Sequence, residues 1–357
     1  MPALRLALLG TLYSVLCTPL LAADWARFRG PNGTGVADDP AAPATFTTEK
    51  NLLWQTPLDG VGHGSPIAVG GKVFLQASDA DGSKRSLVCL DAASGKKLWA
   101  KEVGGKNAKM HKKNSASSST PASDGERVFA VVWDGATQAV YAFDLAGKEL
   151  WTTSLGAYAS EHGAGHSPAV YGGLVYVNQD QDGAARLVAL DAKTGAIKWE
   201  VPRKANRASY TTPILLARPD TPAQLIVGST TGVDSYDPAT GKSNWSYPIV
   251  WEAGNKPLRA IGGQALVGGL VVTYTGEGGS GRYMVAVKTD GKGDVAASGR
   301  AWELRKGTPY VPSVLAHGDH LYWVTDDGLA ACAEAKTGKV VWSDRLFSGK
   351  GVSASPI

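Results

Sequence analysis

The side chains able to do chemistry gather in six loop segments. They read DGVGHGSP from residue 59, KNAKMHKKNSASSSTP from 106, YASEHGAGHSP from 158, KANRASYTTP from 204, AGNKPLRAIGG from 253 and KGTPYVPS from 306. Four of the six histidines lie there: His63, His111, His162 and His166. The set His63, Lys112, His162, His166, Arg207, Tyr210, Arg259 and Tyr310 has the composition of a basic, aromatic pocket for a small anion or an acidic peptide. A plainer reading competes with it. Loop side chains face water or bond to nearby backbone, and His63 and His166, beside Ser-Pro, orient a strand entry. Glu161, His162 and His166 have metal-ligand chemistry, but a glycine-rich loop does not offer the one-face spacing of a helix, so no metal is expected. No catalytic residue stands out. There is no G-x-S-x-G. GEGGSG at 276–281 leads into the strand-like RYMVAV rather than a helix, so no dinucleotide site is expected.

These loops join repeated units. A phrase of the form LDAKTGAIKW recurs five times. Its acidic residue is Asp91, Asp144, Asp191, Asp237 or Glu334, its glycine is Gly95, Gly147, Gly195, Gly241 or Gly338, and its tryptophan is Trp99, Trp151, Trp199, Trp245 or Trp342. The acid accepts from turn N–H groups, the glycine supplies positive φ, and the tryptophan rides the strand that follows. A second phrase precedes it: Ser-Pro or Thr-Pro, a short strand, a glycine turn and another strand. The copy at 263 lacks the proline. Each unit therefore has four short strands. The tryptophans at 54, 99, 151, 199, 245, 302 and 342 are 45, 52, 48, 46, 57 and 40 residues apart, the period of a four-stranded propeller blade. The long step holds an insertion, KTDGKGDVA at 288–296.

The fold expected is all-β: antiparallel four-stranded blades in a ring, with a tryptophan filling the gap between neighbours. In each blade the GG and TG turns share one rim, and the longer loops that carry the chemistry share the other. Residues 51–357 form the propeller and 24–50 an extended N-terminal segment. Trp54 reads as belonging to a lone fourth strand. The chain ends on SASPI, the opening phrase of a seventh copy, and so reads as C-terminally truncated.

Residues 1–23 read as an export signal: Arg5, then an apolar core interrupted by polar residues and proline, then Ala22 and Ala23. The mature chain is expected in the periplasm or outside the cell, with no transmembrane span. Net charge is +4, and +3 once Arg5 is removed, too little to argue for nucleic acid. Cys89 and Cys332 hold equivalent positions in distant copies and are expected in the core, unbridged.

The two phrases resemble the PQQ-like β-propeller repeat, a family that includes quinoprotein dehydrogenases and the BamB assembly lipoprotein, both built on eight blades. DWARFRGPNGTGVA at 24–37 and KGTPYVPS resemble secreted bacterial members. The resemblance implies eight blades in the intact ring. The alcohol-oxidising members carry adjacent cysteines and a Glu–Asn–Asp calcium set, and neither is present here. The function expected is therefore a non-catalytic binding or scaffold protein of the cell envelope, taking an envelope protein or a small anionic ligand and no cofactor. The alternative is an oxidoreductase of alcohols or sugars using PQQ with calcium, or another metal.

Overall fold

The computed structural model describes residues 24–37, 43, 45–251, 258–277, 280–347, 349 and 351–357. The segment read as an export signal lies outside them. The described residues form six sheets, each a simple antiparallel meander of four strands, one of which gains a short fifth strand in parallel. The first comprises Ile67–Val69, Lys72–Ser78, Arg85–Asp91 and Lys97–Glu102. The others span 122–157, 169–203, 214–248, 265–304 and 315–345. The fold is thus a β-propeller of the expected kind, with these sheets as blades 1 to 6. One short 3-10 turn, Pro31–Gly33, is the sole helical element among the described residues. No helix there is long and apolar enough to cross a membrane.

Apolar alternation on the central strands leaves each blade two greasy faces, so the core lies between blades. Phe129, Val131 and Val140 of blade 2 meet Val175, Val177 and Val188 of blade 3, and four similar layers follow the ring. Cys89 sits in the layer between blades 1 and 2, Cys332 is buried on the outer face of blade 6, and both are unbridged.

The repeated phrase has a physical job at each boundary. The carboxylate of Asp191 accepts the N–H groups of Lys193 and Thr194 at 3.0 Å, and Gly195 N–H closes on Asp191 O at 2.8 Å. Gly195 has φ 73° and offers a bare backbone face to Trp151 of the preceding blade. The Trp151 indole lies on that face and donates to Ala192 O at 3.1 Å. Trp99 on Leu145 O, Trp199 on Pro238 O and Trp302 on Ala335 O repeat the contact. A Cβ on the receiving glycine would come within 2.4 to 2.8 Å of the indole at Gly95, Gly147, Gly195, Gly241 and Gly338. Gly195→Ala is therefore expected to cost clearly more than Gly173→Ala, where φ is 77° but nothing lies within 4 Å. The control pays only left-handed strain, about 1–2 kcal/mol, and paired urea melts read the difference.

Three places depart from the repeat. Residues 51–58 form no strand, contrary to the reading of Trp54. Its indole nevertheless lies on Gly95 and donates to Ala92 O at 2.9 Å, as an outer-strand tryptophan would. The insertion at 288–296 replaces the receiving turn of blade 5. Gly293–Asp294 instead pairs in parallel with the outer strand of blade 4. Trp245 is then wholly enclosed, and its N–H goes to Gln224 Oε1 at 2.8 Å. Trp342, on the outer strand of blade 6, is 45% exposed, since no turn among the described residues receives it.

The segment read as an N-terminal extension packs inside the ring. Trp25 pairs with Ala68, Ala26 O accepts from Ser123 N–H, and Arg27 reaches Pro213 O. Asn32 bonds both the N–H and the O of Leu215. Arg29 donates to Pro356 O at 2.9 Å and Val314 O at 3.4 Å. Blades 1, 2, 4 and 6 are touched through their innermost strands, so residues 25–34 fill the centre from the GG-turn side. The two guanidiniums are buried against carbonyls with no carboxylate beside them among the described residues, and burial pushes the Arg27 pKa down to about 10.

Candidate functional site at the channel mouth

Ser/Thr-Pro marks the top of the innermost strands. The Thr120 hydroxyl accepts the N–H of Ser65 at 2.8 Å, Ser167 accepts that of Thr120 at 2.9 Å and Ser313 that of Gly263 at 3.0 Å. Ser355 accepts that of Ser313 at 2.8 Å. These bonds lace neighbouring blades around the mouth and explain the hydroxyl of the phrase. The GG and TG turns meet at the opposite rim, where Ala192 N–H donates to Gly173 O and Ala92 N–H to Gly71 O. The longer loops are left together at the mouth.

Side chains staple those loops to one another. Asn114 donates to His162 O at 2.8 Å and Ala164 O at 3.0 Å. Asp182, from a turn of blade 3, accepts the N–H groups of Glu161 at 2.7 Å and Ala208 at 2.8 Å. Tyr210 OH shares a hydrogen bond with Ser160 at 2.9 Å.

Within this frame two arginines and two glutamates alternate. Arg259 Nη2 lies 2.7 Å from Glu161 and its Nε 3.8 Å from Glu277. Arg207 lies 2.8 Å from Glu277 and 3.7 Å from Glu161. The Arg259 side chain is 2% exposed, while that of Glu161 is 67% exposed. Antiparallel backbone bonds between Arg259 and Gly276 fix the depth of the guanidinium. The hydrogen bond from Arg259 holds the Glu161 pKa below the usual carboxylate range. Tyr310 packs on Gly276, and burial raises its phenol to about 12; Arg282 lies over its ring at 5.4 Å. His111 and His162 stack at 4.6 Å with planes 3° apart. Burial first, then the Arg259 charge, lowers the His162 pKa, so that ring is neutral near pH 7.

Of the residues singled out in the sequence, His162, Arg207, Tyr210, Arg259 and Tyr310 come together here. His63 and Lys112 are exposed on the rim, His63 held through its N–H to Ser115 Oγ and Ser117 O. His166 stands apart. It is buried against Tyr158 with Nε2 at 3.1 Å from Gln138, and burial lowers its pKa to about 4. The mouth is also not the purely basic pocket its composition suggests, because Glu161 and Glu277 neutralise both arginines. Glu277, Asp182 and Asn114 are the members that loop composition did not reveal. The acids that follow a second strand, in NQDQDG and TGEGG, are the signal that was there to read. Beside Glu161 an open groove of about 570 Å³ runs between blades 2 and 3, lined by Lys109, Trp133, Tyr158, Ser160, Glu161 and Asp182.

The family model described as outer membrane protein assembly factor BamB matches residues 42–119 and 83–344. The chain belongs to this PQQ-like propeller family. BamB of Shewanella oneidensis is 27% identical over 177 residues, which cover 45% of this chain and 39% of that protein. The match thus spans well under half the length of that relative. BamB from Moraxella catarrhalis shares the fold with TM-score 0.56 and 18% identity, over 84% of this chain and 78% of that one. A europium-containing methanol dehydrogenase does so with TM-score 0.59 and 16% identity, over 82% and 69%. That likeness is one of fold; the oxidoreductase alternative drawn from the sequence would need a quinone with a bound metal ion. Among the described residues no three His, Cys, Asp or Glu side chains are arranged to hold a metal, and residues 25–34 occupy the centre of the ring. The donor set of the described residues does not fit that centre.

Proposed function

We propose that this PQQ-like propeller is an exported, non-catalytic binding protein of the cell envelope, BamB-like in that its loop-bearing rim docks a protein partner. The observation that carries the reading is the character of that rim. Asn114, Ser160, Asp182 and Tyr210 staple the loops, Arg207, Arg259, Glu161 and Glu277 are held in ion pairs, and among the described residues of the mouth none stands as a nucleophile with an adjacent base. The opposite side of the ring is filled by the chain itself. Such a body offers a rigid, loop-decorated face rather than a reaction chamber. The family's description as an assembly factor supports an envelope protein as partner.

A photo-crosslinking residue at Lys112 or His63, with the full-length protein expressed in its own cell, is expected to trap a discrete envelope protein. The same residue at Lys193, on the turn rim, is expected to trap none. Equal trapping from both rims would count against docking at the mouth. Dye reduction with alcohols or sugars after adding PQQ and calcium would overturn the non-catalytic reading in favour of the oxidoreductase.

A further inference from the structure

Four lysines, Lys106, Lys109, Lys112 and Lys113, stand exposed on the loop that flanks the groove between blades 2 and 3. Ser160 and Glu161 line that groove, and they also belong to the mouth. At this junction the buried Arg259 is incompletely bonded. Its Nη2 is taken by Glu161, while Nε and Nη1 have no hydrogen-bond partner. Glu277 stays 3.8 Å from Nε, so the one hydrogen-bonded acceptor on Arg259 among the described residues is a carboxylate that is mostly in water, on a loop with glycines at 163 and 165. A guanidinium this deep needs a carboxylate across from it, and fork-to-fork pairing would serve it better than one bond. What Glu161 supplies from solvent, an incoming carboxylate can supply along the same approach.

We propose that Arg259 and Arg207 form a carboxylate-binding site whose place is held in the free protein by Glu161. The ligand is an acidic segment of a partner protein, laid in the adjoining groove under the four lysines, with one of its carboxylates replacing Glu161 on Arg259. This rests on the reading of the rim as a docking face and adds to it the chemistry of the docked segment. The open groove and the lysine-rich edge favour a chain over a compact small molecule.

The test is fluorescence anisotropy of a labelled, C-terminally amidated hexaglutamate with the full-length protein at low ionic strength. Glu161→Gln frees the arginine and is expected to tighten binding about tenfold, because the peptide no longer competes with an internal carboxylate. Arg207→Gln, at the more exposed member of the pair, is expected to weaken binding about tenfold in either background. Equal or weaker binding by folded Glu161→Gln overturns the proposal. Should that variant unfold, hydrogen exchange of residues 158–166 in the unaltered protein decides: release on adding peptide supports exchange of Glu161, and no change overturns it. Free citrate that gains as much as the peptide from Glu161→Gln overturns the acidic-segment assignment in favour of a small polycarboxylate. Failure here with rim crosslinks intact and unaffected by Arg207→Gln would remove the carboxylate site alone. Loss of the crosslinks themselves would remove the docking face.

Discussion

Asp180→Ala is expected to lower the free energy of unfolding by about 3–5 kcal/mol, the cost of stranding a buried charge. Asp180 and Arg203 have side chains wholly out of solvent, and Nε sits 2.9 Å from Oδ1. Arg203 leaves the outer strand of blade 3 and crosses to blade 4, where Nη1 meets Asp234 at 3.0 Å and Tyr236 OH at 2.8 Å. Burial works against the guanidinium charge, but Asp180, Tyr236 and Asp234 together outweigh it and raise its pKa. Removing Asp180 leaves that charge with one carboxylate, a quarter exposed. The pair itself need not be a large net gain over apolar packing, since desolvating two ions offsets much of their attraction. Asp180→Leu with Arg203→Met should therefore recover most of the loss. Urea melts of the single and double variants check this. A single variant within about 1 kcal/mol of the parent, on the scale of an exposed pair, would mean that water reaches Arg203.

That ion pair shows what the sequence could and could not disclose. The blade is periodic, so its parts announce themselves. Asp191, Gly195 and Trp199 recur at fixed intervals because one turn and one docking contact are built five times, and the period alone implies a ring. The gathering of His162, Arg207, Tyr210, Arg259 and Tyr310 at one rim follows from strand alternation. The remaining parts are aperiodic. Arg203 and Asp180 pair once, in one blade. Arg27 and Arg29 are met by the carbonyls of Pro213, Val314 and Pro356, and a carbonyl has no letter in a sequence. The basic look of the mouth misled for a similar reason. The neutralising Glu277 belongs to a different loop class from the arginines, and only the folded ring brings the two together. The enclosure of Trp245 required seeing that an insertion in blade 5 pairs backwards onto blade 4.

His166 is expected to make stability fall steeply between pH 6.5 and 4. Its ring is buried, its Nδ1 has no partner among the described residues, and burial lowers its pKa from 6.5 to about 4. In that window the unfolded chain holds the imidazole proton and the folded chain does not, so unfolding takes up a proton. Stability therefore rises with pH across it. The contribution is complete above pH 6.5 and is lost as pH drops toward 4, for a total of about 3 kcal/mol. Carboxylates such as Asp191, whose turn hydrogen bonds lower its pKa, add their own loss at more acid pH. The comparison must therefore be with His166→Asn, which keeps the polar contact to Gln138 but takes up no proton. The variant should be less stable at pH 7, through lost packing on Tyr158, and its stability should decline more gently on acidification. The two curves should converge below about pH 5, closing at roughly 1.4 kcal/mol per pH unit. Parallel curves from pH 7 to 4.5 would mean that the ring is solvated, and that the seam between blades 2 and 3 admits water beside the groove.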